Sequence, residues 1–113
     1  GCPAYAPHLT LEEGETAQAA YHRGNWMDIA ENLAGSRRGA GNALGGVAFE
    51  WLDEWWKNYE PYRHDRKSDA IGPFPGGYYF EEWFGLTGQG KGQHSPFLRQ
   101  LRKSYYVYKE LWN

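Results

Sequence analysis

The chain has 113 residues, a formal net charge of -2 and a pI near 6.1, and 18% of its residues are aromatic. That length suits one segment or domain with a modest core, and the charge argues against a nucleic-acid partner, which needs a basic face. No apolar run approaches the roughly 18 residues needed to span a membrane, and the single cysteine, Cys2, leaves no intrachain disulfide and identifies no compartment.

The first predicted element is a helix. Thr10 and Glu13 have the spacing of a capping box, which satisfies the first free amides of a helix. We expect the helix to run from about Leu11 or Glu15 to Ala34, with Gly35 as its stop. A loose apolar periodicity predicts its buried face: Ala20, Trp26, Ile29, Ala30 and Leu33.

The middle of the chain holds one predicted strand. Residues 35–46 contain five glycines and predict a loop, and Val47–Trp51 is short, apolar and preceded by two of those glycines. Residues 53–77 show no sustained period and predict a long loop, in which the charged run around His64 is expected to be solvated. Residues 78–86 fit either a second strand or an ordered loop.

The last predicted element is a helix from about Pro96 to Trp112, with Ser95 as its N-cap. Four side chains recur at helical steps and are expected to face inward: Leu98, Leu101, Tyr105 and Tyr108. The basic residues between them predict a solvated face: Arg99, Arg102, Lys103 and Lys109.

The order is therefore helix, strand, long loop, helix. One strand cannot form a sheet alone, so a partner strand must come from residues 78–86 or from another polypeptide. The four histidines lack the paired spacing of zinc sites, and nothing local supports Cys2 as a nucleophile. We therefore predict no metal site, no cofactor and no catalytic residue within the chain.

Two clusters alternate carboxylates with large aromatic rings, one at residues 50–59 and one at 78–84. Sugar binding needs flat apolar platforms for the C–H faces of a ring, and carboxylates to accept hydrogen bonds from hydroxyl groups. The clusters therefore indicate a carbohydrate site, and an aromatic core is the competing interpretation. The predicted substrate-binding residues are Trp51, Asp53, Glu54, Trp55, Glu82 and Trp83.

The stretch GGVAFEWLDEWWK (45–57) resembles the eighth strand and following loop of (β/α)8-barrel glycoside hydrolases of clan A, in particular family 2-like and β-1,3-glucanosyltransferase-like members. EEWFGL and YYVYKELW resemble the closing segment of the same barrels. The resemblance implies an α/β fold in which residues 1–113 are an incomplete C-terminal segment of a (β/α)8 barrel, completed by another chain or copy. It also places Trp51 at the barrel mouth, stacking on a sugar.

Retaining enzymes of this type need two carboxylates about 5 to 5.5 Å apart, on strands that this chain does not contain. The favoured hypothesis is thus the C-terminal portion of a β-glycoside hydrolase or transglycosidase that is inactive in isolation. Its partners would be a β-glucan-like oligosaccharide or polysaccharide and a polypeptide that completes the barrel, or a homo-oligomer. The alternative is a non-catalytic, aromatic-rich binding or structural subunit that packs against a protein or polysaccharide.

Overall fold

The computed structural model describes residues 2–57, 64, 66, 80–88 and 99–113. These residues form two α-helices, a short 3-10 helix and a two-stranded antiparallel sheet. In chain order the elements are α1 (Leu11–Glu31), the 3-10 helix (Phe80–Trp83), β1 (Thr87–Gly88), β2 (Gln100–Leu101) and α2 (Lys103–Leu111).

Helix α1 begins where the sequence predicts. The Thr10 hydroxyl accepts from the Glu13 amide at 3.2 Å, and the Glu13 carboxylate accepts from the Thr10 amide at 2.8 Å, which confirms the capping box. The helix ends earlier than expected, at Glu31, because the carbonyl of the next residue, Asn32, accepts from the Ala43 amide at 2.9 Å and not from a further helical turn. Leu33 then leaves the helix to pair with Ala43 in an isolated bridge.

The buried face of α1 differs from the predicted apolar face. The buried residues are Gly14, Gln18, Ala19 and His22, whereas Ala20 and Ala30 are exposed. Small and polar side chains face inward because neighbouring segments approach the helix closely. A Cβ placed on Gly14 would lie 2.3 Å from the Ala4 carbonyl oxygen, so only glycine permits this approach.

One amide side chain on α1 connects three other segments of the chain. Gln18 is fully buried, and its Nε2 donates to the carbonyls of Cys2 at 3.0 Å and Gly85 at 3.1 Å. Its Oε1 accepts from the Ser104 hydroxyl at 2.9 Å. A buried amide has to be paired in this way, because an unpaired one carries a large desolvation cost.

Helix α2 is shorter than predicted. It begins at Lys103, since Gln100 and Leu101 form β2 and Arg102 is extended; the predicted start at Ser95 and Pro96, and Leu98, lie outside the described residues. Leu101 is 39% exposed, so its predicted place in the core is wrong. Val107 and Tyr108 are the large buried side chains of α2, and Tyr105 is partly buried.

The two helices lie side by side and run in the same direction. Successive positions of α1 contact successive positions toward the C-terminal end of α2. Gln18 bonds to Ser104, His22 to Tyr108, and the Trp26 ring meets that of Trp112 at 5.3 Å. Near the end of α2, an exposed ion pair joins Glu110 to Arg23 in the middle of α1 at 2.6 Å.

The predicted strand Val47–Trp51 is not formed, and Val47 is 96% exposed. Backbone hydrogen bonding to residues 84–88 begins at Glu50 instead. Leu52 makes a parallel bridge with Thr87, and Thr87–Gly88 pairs antiparallel with Gln100–Leu101. The 84–88 segment thus lies between residues 50–53 and β2.

The predicted fold class is therefore wrong: the described residues show a small mixed α/β arrangement with a two-stranded antiparallel sheet, and not the parallel strand of a barrel segment. The backbone of residues 50–53 also finds hydrogen-bond partners within the chain. The Leu86 amide donates to the Glu50 carbonyl at 2.7 Å, and the Thr87 amide donates to the Trp51 carbonyl at 2.9 Å.

Candidate functional site

A buried ion pair fixes the acidic and aromatic stretch to the rest of the molecule. The Asp53 side chain is fully buried, and its carboxylate accepts from both terminal nitrogens of Arg102, with Nη1 at 2.6 Å. It also accepts from the Gly85 amide at 2.8 Å and from Nε2 of His64 at 2.6 Å. The two hydrogen bonds from Arg102, together with those from Gly85 and His64, satisfy the buried carboxylate of Asp53. Asp53 therefore has a structural role here.

Trp83 lies at the centre of a stack beside this ion pair. Its ring is 4% exposed and lies 4.1 Å from the His64 ring and 4.9 Å from the Tyr5 ring. The guanidinium carbons of Arg66 and Arg102 lie 5.4 and 5.9 Å from the Trp83 ring. Cation–π and ring contacts of this kind stabilise a packed unit.

A second polar cluster surrounds Lys57. Its ammonium group contacts carboxylate oxygens of Glu54 at 2.7 Å and Glu81 at 2.9 Å, and these hydrogen bonds raise the pKa of Lys57. Glu50 lies near this cluster with one carboxyl oxygen, Oε1, buried and unpaired among the described residues. Burial, followed by the charge of Glu54, raises the pKa of Glu50 to about 7.

The third feature is an aromatic groove of about 550 Å³ between residues 46–51 and α2. Trp51 is 56% exposed at one wall, where its ring meets that of Tyr105 at 6.0 Å. Trp112, 58% exposed, forms another part of the lining, and Lys109 and Asn113 add polar groups. The groove therefore combines uncovered flat rings with hydrogen-bonding side chains, as a binding site for a small polar ligand requires.

The six predicted site residues do not lie on one surface. Trp51 lines the groove, and Glu54 and Trp55 are partly exposed on the neighbouring segment. The other three are buried: Asp53, Glu82 and Trp83. Tyr59, Tyr78 and Tyr79, which belong to the predicted clusters, lie outside the described residues.

Sequence reasoning missed the groove wall that α2 supplies and the partners of Asp53. Arg102 was expected on a solvated face and is 5% exposed, and the His64 side chain, expected in solvent, is 6% exposed. Helical spacing does carry one signal for the groove, since Tyr105 and Trp112 are two turns apart. No local pattern links Arg102 to Asp53, which is 49 residues away.

Within the described part of the chain, no group of three or more histidine, cysteine or acidic side chains is placed to hold a metal ion. None of the helices described there is long and apolar enough to cross a membrane.

Comparisons of the chain with protein-family models, curated proteins and solved structures found no match. They therefore give no support to the resemblance to clan A glycoside hydrolases, which stays a prediction from the sequence.

Proposed function

We propose that this chain is a non-catalytic carbohydrate-binding protein that holds an oligosaccharide in the aromatic groove. The observation that carries the proposal is the exposure of Trp51 and Trp112, each more than half uncovered, along the lining of one groove. Large indole rings are usually buried or used at interfaces, so two uncovered indoles in one concave surface indicate a ligand.

The groove offers both kinds of contact that a sugar ring makes. Stacking on Trp51 or Trp112 would cover the C–H face of a pyranose, while Lys109 and Asn113 offer donors to its hydroxyl groups. A β-glucan-like oligosaccharide presents both kinds of surface along its length.

Catalysis by the described residues is not part of the proposal, because the three carboxylates whose charges act on Glu50 are already engaged. Asp53 is bound by Arg102, and Glu54 and Glu81 both contact Lys57. A glycosidase needs one carboxylic acid and a second carboxylate free to act on the sugar or on water. Glu50 has the raised pKa of a general acid but no such free partner among these three.

Titration of β-glucan oligosaccharides into matched tryptophan variants tests the proposal. Trp51→Ala should weaken binding by about 1 to 3 kcal/mol, the usual effect of removing a stacked ring. Trp56→Ala is the control, since Trp56 is 50% exposed but does not line the groove. Thermal melts of both variants separate lost binding from lost folding, and wild type that binds no glycan would refute the proposal.

A protein partner is the second candidate, and a separate observation favours it. Leu44 and Val47 are 93% and 96% exposed, and aliphatic side chains give a sugar no stacking platform. Exposed apolar side chains beside exposed tryptophans are typical of protein interfaces. Sedimentation across a wide concentration range would reveal self-association, and Val47→Asp should abolish it if this surface forms the contact.

A further inference from the structure

A second cavity, of about 200 Å³, lies between α1, residues 46–49 and α2. Its walls include the rings of Trp26, Tyr108 and Trp112, which contact one another at centroid distances of 4.6 to 6.1 Å. It shares residues 46–48, Tyr108 and Trp112 with the aromatic groove, but Trp51 does not line it, and His22 does not line the groove. Cavities of about 150 Å³ with apolar walls accept a single benzene ring, so the size suits one ring.

His22 is the polar side chain that sets this cavity apart. It lines the cavity, is 4% exposed, and its Nδ1 lies 2.9 Å from the Tyr108 hydroxyl oxygen. Its Nε2 is buried and has no hydrogen-bond partner among the described residues. An unpaired buried nitrogen costs free energy, and a ligand that bonds to it would remove that cost.

The hydrogen bond to Tyr108 indicates which kind of ligand atom fits. Burial lowers the pKa of His22 and raises that of Tyr108, so at neutral pH the imidazole is uncharged and the phenol keeps its proton. A buried phenol donor needs an acceptor, and Nδ1 is the one beside it. If the phenol donates to Nδ1, the neutral imidazole carries its own proton on Nε2, which is then a donor without an acceptor.

We propose that this cavity binds a small, uncharged molecule with one planar ring and a hydrogen-bond acceptor, such as an aromatic amide. The ring packs against the cavity side of the Trp26, Tyr108 and Trp112 cluster, and the acceptor accepts a hydrogen bond from His22 Nε2. The carboxylate of Asp28, which also lines the cavity, disfavours an anionic ligand. The two sites share Trp112 and Tyr108, but the inference does not depend on the saccharide proposal, because it rests on His22, which does not line the aromatic groove.

The test uses benzamide as the probe, with benzoate and benzene as matched ligands. Benzamide should give saturable binding by protein NMR and shift the ¹⁵N resonance of His22 Nε2, whereas benzoate and benzene should bind at least about tenfold more weakly. His22→Phe keeps a ring but removes the donor, and should bring benzamide binding down to that of benzene. Equal binding of benzamide and benzene by the wild type, or no saturable binding, would overturn the proposal.

A second variant keeps the proposal testable if His22→Phe does not fold. A Cβ on Gly46 would lie 2.7 Å from the Ile29 side chain and 3.7 Å from the Trp26 ring, so Gly46→Ala should narrow the cavity and weaken benzamide binding. Gly24→Ala, whose added methyl meets nothing within 4 Å, is the control. Trp51→Ala should leave benzamide binding unchanged, which keeps failure of this inference distinguishable from failure of the proposed function.

Discussion

Asp53 and Glu54 are adjacent carboxylates that the sequence predicts to have the same role, and the structure gives them different environments. The Asp53 side chain is fully buried against Arg102, itself 5% exposed, whereas the Glu54 side chain is 27% exposed beside Lys57. Asp53→Asn puts an amide where the guanidinium needs a charge, and breaking a buried pair costs about 3 to 5 kcal/mol. Glu54→Gln weakens a solvated pair and should cost about 1 kcal/mol or less.

Urea denaturation followed by tryptophan fluorescence and circular dichroism measures both free energies of unfolding. Small domains have stabilities of about 5 to 15 kcal/mol, so Asp53→Asn should remove a large share and could prevent folding. Glu54→Gln is the matched control, because it makes the same acid-to-amide change one residue away. If the two variants lost the same free energy, the buried ion pair would not have the structural importance that its geometry indicates.

Three further predictions concern other parts of the molecule. Gly24→Ala should stabilise α1 by about 1 kcal/mol, because alanine has the higher helix propensity and its methyl group meets no other atom. Gly14→Ala should destabilise the protein, because its methyl group would clash with the Ala4 carbonyl oxygen. Equal urea midpoints for the two variants would contradict this prediction. The pKa of Glu50 is raised in the fold from 4.5 to about 7, so its stabilising contribution is complete below pH 4.5 and is lost as the pH rises through about 7. Glu50→Gln should therefore gain stability relative to wild type between pH 4.5 and pH 8, and a constant difference in unfolding free energy would argue otherwise. Leu101 is 39% exposed and Val107 is 7% exposed, so Leu101→Ala should lower the free energy of unfolding by about 1 kcal/mol or less and Val107→Ala by about 1.5 to 3 kcal/mol. Thermal melts that rank the two variants in the opposite order would count against the described core.

The features that the sequence predicts well are local. The capping box at Thr10 and Glu13 needs only a three-residue spacing, and the structure confirms it and the helix that follows. The start of α2 could not be predicted in this way. Residues 100–101 pair with residues 87–88, and no local signal in residues 100–102 indicates that pairing.

The candidate site shows the same limit. The excess of indoles predicts a ligand surface, and Trp51 does line a groove, but the opposite wall comes from α2. No sequence pattern distinguishes the buried Asp53 from the partly exposed Glu54, because the burial of Asp53 depends on the distant Arg102. The strand expected at Val47–Trp51 was inferred from an apolar run, yet Val47 faces solvent. An apolar run alone does not distinguish a buried strand from an exposed binding segment.

Gln18 has a consequence for how this protein folds. Its side chain bonds to residues 16, 67 and 86 positions away along the chain, so the amide is fully paired only when three distant segments have assembled. Losing the segment of residues 83–85 or α2 would remove hydrogen-bond partners from the buried Gln18 amide. We therefore expect these segments to be lost together in one all-or-none transition, with the backbone amides of α1 and α2 exchanging with solvent at similar rates. These contacts between distant parts of the chain also favour slow folding, because the segments must come together before the hydrogen bonds can form.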